Sequence, residues 1–182
     1  MPTDLARPAG KIRVGVSSCL LGQRVRHDGG HKFDATVAGL LAGCFELVPV
    51  CPEVEAGMGV PREPVRLVRG GGEVRMLGLS SGKDHSEAMR GFASRRAAEL
   101  TALGLGGYIL KKNSPSCGVT GVPTCTDDGA AAAPDRGLFV AALVEALPGL
   151  PLIEEDKLVD AALRENFIAE VRAYSASSGK SG

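Results

Sequence analysis

The stretch Gly107-Tyr108-Ile109-Leu110-Lys111-Lys112-Asn113-Ser114-Pro115-Ser116-Cys117-Gly118 decides how the chain is read. Its first four residues form a short apolar run, the pattern of a fully buried strand. The rest is a loop by composition, because Asn, Ser, Pro and Gly are the residues that make turns. A cysteine placed there, beside Lys111 and Lys112, stands in an electropositive setting that favours the thiolate, the form that binds metal or attacks. The same arrangement recurs twice. Lys11 to Val16 alternates like a strand and runs into Ser17-Ser18-Cys19, and Phe45 to Val50 runs into Cys51-Pro52-Glu53.

Helices are expected between these strands. Asp34 caps a short one through Leu41, ended by Gly43. A second starts at Asp84 with Glu87 as capping-box partner. Its apolar spacing is Met89, Phe92, Ala93, Ala97, Leu100 and Leu103, and Gly104 ends it. Phe139, Val140, Leu143, Val144 and Leu147 mark a third, and Pro151 to Ile153 reads as a short strand. The last helix spans Asp156 to Tyr174, with Leu158, Val159, Ala162, Leu163, Phe167 and Val171 inward. Val65–Arg69 and Glu73–Leu77 flank three glycines and read as a β-hairpin. Residues 57–64 are too rich in Gly and Pro for regular structure, and 120–135 read as a flexible cover.

Strands alternating with helices imply an α/β fold: one domain over residues 11–174, with a mainly parallel, Rossmann-like sheet covered by helices on both faces. Residues 1–10 read as a flexible leader and 175–182 as a disordered tail. In such sheets ligands bind beyond the carboxyl ends of the strands. Cys19, Cys51 and Cys117 each follow a strand there, so parallel neighbours would bring the three thiols to one rim.

Bulk properties narrow the function classes. The chain has 182 residues, ordinary hydrophobic content and a formal net charge of zero, so no overall field recruits nucleic acid or membrane. Six basic residues against two acidic ones in the first 32 (Arg7, Lys11, Arg13, Arg24, Arg26, Lys32; Asp4, Asp28) hint at a polar or anionic ligand. No apolar run approaches the roughly 20 residues of a membrane helix, and no signal core opens the chain. Five cysteines, an odd number, fit a reducing cytoplasm better than a disulfide framework.

Three converging thiols admit a Cys₃ zinc site, an iron–sulfur cluster with one iron free of protein ligands, or a redox relay; the absence of a C-x-x-C pair weakens the first and last. Cys44 and Cys125 read as packing and bystander residues. Glu53, stiffened by Pro52, is a candidate general acid or base. Ser114 and Ser116 either orient a ligand or make local turn bonds. Lys111 and Lys112 either offset site charge or are solvated. His27, Asp28 and His31 lie near Cys19 in sequence, and one of them is a candidate for the pocket wall.

V-S-S-C-L-L-G, D-G-G-H-K, V-C-P-E-V with the following V-P-R, and K-N-S-P-S-C-G together resemble the bacterial thiouracil desulfidase family. The resemblance implies a [4Fe-4S] cluster held by only three cysteines, here Cys19, Cys51 and Cys117. It also implies Glu53 and Ser114 as the catalytic pair. The substrate would be a small thiolated compound, thiouracil or a related thiopyrimidine. Its sulfur would take the open iron and leave as sulfide, with hydrolytic conversion of C=S to C=O and no net redox change. The competing readings are a non-catalytic iron–sulfur or sulfide-binding protein and a Cys₃ zinc hydrolase with Glu53 as base.

Overall fold

The computed structural model describes residues 10–178. Strand β1 (Arg13–Ser17) ends in a 3₁₀ turn at Ser18–Leu21. A π-helical stretch, Thr36–Leu41, continues into α1 (Ala42–Cys44), then β2 (Glu46–Val50) and α2 (Pro52–Glu55). The hairpin β3 (Val65–Gly70) and β4 (Glu73–Gly78) leads to the long helix α3 (Ser86–Ala102). Strands β5 (Gly107–Leu110) and β6 (Thr124–Thr126), helix α4 (Leu138–Ala146) and β7 (Leu152–Glu154) follow. A 3₁₀ turn at Glu155–Val159 precedes α5 (Ala161–Ser178).

The main sheet has the order β2-β1-β5-β7 with every pairing parallel. Alternation along the strands builds a core on each face. Tyr108 and Leu110 of β5 point, with Val50, into one core shared with Phe92 and Leu100 of α3 and Phe139 and Leu143 of α4. Ile109 points the other way and joins Val14, Val16 and Ile153 against Val37, Leu41, Phe167 and Val171. The fold is therefore the expected α/β arrangement with helices on both faces. Between β1 and β5 the strand order changes direction, and that switch opens the crevice in which such sheets bind ligands. No helix among the described residues is long and apolar enough to cross a membrane.

Several local expectations are revised. Residues 120–135 are not a flexible cover. Thr124–Thr126 pairs in parallel with β3, and bridges from Val122 to Asp135 and Cys125 to Ala131 fold the loop onto a second sheet of order β4-β3-β6. In the hairpin, Gly71 and Gly72 both have positive φ (61° and 85°), as a two-residue primed turn demands. Helix α3 starts at Ser86, whose N–H donates to the Asp84 carboxylate at 2.8 Å. Asp34 caps its helix through the Val37 N–H at 2.9 Å, but Gly43 lies inside α1 and does not end it.

Leu103, Val159, Ala162 and Leu163 are exposed, against expectation. For the last three the cause is a break at Asp160. Its carboxylate accepts the Ala162 and Leu163 N–H groups and rotates the following helix out of phase. That helix continues to Ser178, so residues 175–178 are helical, whereas 1–9 and 179–182 lie outside the described residues.

Gly15 is the tightest joint of the main sheet. A Cβ there would stand 2.3 Å from two ring carbons of Tyr108, a fully buried ring that meets Phe139 edge-on at 5.8 Å. Gly15→Ala is expected to destabilise the fold by about 1–3 kcal/mol through overpacking, read as a lower midpoint in urea denaturation.

Candidate active site

A cavity of about 400 Å³ opens at the carboxyl ends of β1, β2 and β5. Cys19, Cys51 and Cys117 all line it. Cys19 sits in the 3₁₀ turn after β1, and its carbonyl accepts the Gly22 and Lys32 N–H groups at 3.3 and 2.9 Å. Cys51 follows β2 directly and is the N-cap of α2. Cys117 lies deeper in its loop, which is held from behind by α4. The Leu138 N–H donates to the Pro115 carbonyl (3.0 Å), and the Phe139 and Val140 N–H groups donate to that of Ser116 (3.2 and 3.3 Å). A Cβ at Gly137 would fall 2.4 Å from the Ser116 carbonyl, so only glycine lets helix and loop approach this closely.

The expectation that the loop favours thiolate is overturned. Burial raises the Cys117 thiol well above its ordinary value, and burial also raises Cys51. Cys19 is pushed up to about 11, by burial first and then by Cys51. The lysines do not reverse this: Lys111 lowers Cys19 by less than burial raises it, and it pairs with Glu155, as Lys112 does with Asp156 at 3.0 Å. Glu155 also accepts the Lys112 N–H at 2.7 Å, and Glu154 accepts that of Val119 at 2.9 Å. The acidic run after β7 thus braces the Cys117 loop. Coordination to a metal ion would deprotonate such thiols outright.

Glu53 lines the same cavity with both carboxylate oxygens engaged. Ser116 donates its hydroxyl to Oε1 at 2.8 Å, and Arg62 sends Nε and Nη2 to Oε2, each at 2.8 Å. Arg62 further donates to the carbonyls of Gly59 (2.7 Å) and Val25 (2.9 Å). Its side chain is 7% exposed and that of Glu53 14%. The sequence reading missed this role of Arg62, whose signal was a lone basic residue within a Gly/Pro-rich segment.

The two serines divide their work. Ser116 holds Glu53. Ser114 Oγ accepts the Cys117 and Ser116 N–H groups at 3.1 and 3.3 Å, which leaves its own hydroxyl proton free towards the cavity it lines. Asn113, also on the cavity wall, has φ 57°, a left-handed conformation that Asn tolerates better than most residues. Of the basic N-terminal residues, Arg26 and Lys32 reach the cavity, as does His27. Lys11 and Arg13 instead bond to Ala42 and Glu46, and His31 Nδ1 accepts the Phe33 N–H. Asp28 accepts the Gly30 N–H. Cys44 packs against the core of the second face, and Cys125 of β6 donates to the Leu67 carbonyl of β3, both outside the cavity.

The family model described as 2-thiouracil desulfurase matches residues 14–155. The chain belongs to that family. Within the span matched by the 2-thiouracil desulfurase model lie Cys19, Cys51, Cys117, Glu53 and Ser114. A solved structure, the [4Fe-4S]-dependent thiouracil desulfidase TudS, is similar with a TM-score of 0.67 and 31% identity, over 86% of this chain and 99% of that one. The uncharacterized protein YbbK of Bacillus subtilis (strain 168) is 35% identical over 108 residues, 57% of this chain and 71% of that protein. The family resemblance read from the cysteine motifs therefore holds.

The Glu53–Arg62 pair is nearly closed off from water, so removing one partner strands the other. Arg62→Met is expected to cost on the order of 3 kcal/mol in chemical denaturation, with Arg62→Lys recovering only part because it cannot reproduce the fork of donors.

Proposed function

We propose that this protein is a [4Fe-4S]-dependent desulfidase that converts the thiocarbonyl of thiouracil, or of a related thiopyrimidine, into a carbonyl. One observation carries the reading: three thiols on separate strand-end loops line one cavity together with a fixed carboxylate and a free hydroxyl. Cys19, Cys51 and Cys117 would hold the cluster. They are soft donors, Cys19 and Cys117 buried and Cys51 half-buried, which suits a cluster that brings its own positive charge. A single Cys₃ ion, with bonds of about 2.3 Å in a tetrahedral set, would need its sulfurs roughly 3.8 Å apart. Among the described residues no three His, Cys, Asp or Glu side chains are grouped to hold one ion. A cluster spreads its ligands more widely, since each cysteine takes a different iron. The donor set, three soft thiols on three separate strand-end loops, suits a cluster.

When bound, the cluster supplies an iron without a protein ligand, a soft Lewis acid that takes the thiocarbonyl sulfur. The chain's own residues do the rest. Ser114 donates its free hydroxyl to the substrate and orients it. Glu53, kept in place by Ser116 and Arg62, accepts a proton from the water that adds to the carbon, then returns it as sulfur departs. Among the described residues Glu53 is the one carboxylate that lines the cavity, so it is the residue placed to take that proton. The balance is one water in and one hydrogen sulfide out, with no electron donor. Arg26, Lys32 and His27 give the wall a polar, cationic side, and the site is expected to prefer polar substrates.

Anaerobic reconstitution of the full chain should give brown protein with about four irons and four sulfides. Cys19→Ser, Cys51→Ser or Cys117→Ser should lose the cluster, whereas Cys44→Ser and Cys125→Ser should keep it. Colourless protein with one zinc sinks the proposal. Loss of the thione absorbance of 4-thiouracil then separates an enzyme from a sulfide carrier. Glu53→Gln should keep the cluster yet turn over about 10²–10⁴-fold more slowly.

A further inference from the structure

The loop that carries Cys51 is tied to the rest of the fold from outside the cavity. Its N–H donates to Oε1 of Glu55 at 3.0 Å, so a side chain at the end of α2 reaches back to the residue that caps it. The other oxygen of Glu55 lies 3.4 Å from Nε of Arg96, in the middle of α3. Arg96 also meets Glu99 at 2.7 Å through Nη1. Neither Glu55 nor Arg96 lines the cavity. Two buried polar atoms in this region have no hydrogen-bond partner among the described residues: Arg96 Nε, which is not aligned with Glu55 despite its distance, and the hydroxyl of Tyr108. Tyr108 is fully buried, and burial is the main cause that raises its phenol.

We infer that Glu55 and Arg96 form a positioning pair for Cys51, in which Glu55 orients the backbone of Cys51 and Arg96, 3.4 Å away, balances the charge of Glu55. The inference rests on the functional reading above, because it needs Cys51 to be a ligand. Its physical content is an asymmetry. Glu55 fixes Cys51 through an oxygen that an amide also has, but it places a negative charge one residue layer behind a thiolate. An uncompensated negative charge there would disfavour the reduced cluster and weaken the hold on Cys51. Arg96 supplies the compensation from a helix that otherwise belongs to the core.

The test uses the reconstituted full chain. Arg96→Met, which keeps most of the apolar stem, should load a cluster but show a lower midpoint potential and about 10-fold faster iron loss to a chelator, the small end of the range for residues that support metal ligands. Arg96→Lys should return both values most of the way to wild type. Glu55→Gln keeps an acceptor for the Cys51 N–H and should raise the potential while holding the cluster; it also serves if Arg96→Met fails to fold. Turnover should fall through kcat with little change in KM, since neither residue reaches the cavity. A wild-type chain that takes up no cluster overturns the functional reading and the inference with it. A loaded wild type with Arg96→Met and Glu55→Gln matching its potential and iron-loss rate overturns the inference alone.

Discussion

The carbonyl groups of Pro115 and Ser116 accept the first N–H groups of α4, and the rest of the site depends on that contact. A helix start leaves unsatisfied donors, and a loop leaves unsatisfied acceptors; here each supplies what the other lacks. Gly137 permits the approach, because any side chain would strike the Ser116 carbonyl. The loop so fixed presents Cys117 to the cavity, turns Ser116 towards Glu53 and leaves Ser114 bonded by its oxygen alone. Glu154, Glu155 and Asp156 hold the same loop from the opposite side through Val119, Lys111 and Lys112. Three functional side chains thus inherit their positions from one backbone conformation.

The three thiols share one environment. Burial disfavours the thiolate at Cys19, Cys51 and Cys117, and Cys51 adds to the effect at Cys19. A lone reactive cysteine would need the reverse environment, with an unpaired cation or helix start aimed at its sulfur. The lysines that suggested such an environment are spent on carboxylates. Loading the proposed cluster would remove these protons, and binding would then stabilise both the thiolates and the loops that carry them. The buried Arg62–Glu53 pair sets a fixed charge arrangement on the wall of the same cavity.

Much of this was legible in the sequence because it depends on local pattern. Gly107–Leu110 could only be a buried strand, and residues at the carboxyl ends of parallel strands converge by topology whatever their side chains. That reasoning placed Cys19, Cys51 and Cys117 on one cavity. What sequence could not show is pairing between distant segments. Nothing near Lys111 announces Glu155, and nothing in Glu63 or Pro64 announces that Arg62 reaches Glu53. Thr124–Thr126 is a strand only because β3 offers it a parallel edge. Val159 and Leu163 match the helical period yet face solvent, since Asp160 interrupts the helix and resets its phase.

The same distinction explains why serine roles were ambiguous and became separable. In Ser114-Pro115-Ser116-Cys117 the two hydroxyls are chemically equal and two residues apart. An extended backbone would point both the same way. The turn instead bends Ser114 Oγ onto the Cys117 N–H and sends Ser116 Oγ to Glu53. A hydroxyl that accepts from the backbone still has a proton to donate, whereas one that donates to a carboxylate has committed its proton. Only Ser114 therefore keeps a donor on the cavity wall, and Ser116 is left as the residue that holds Glu53.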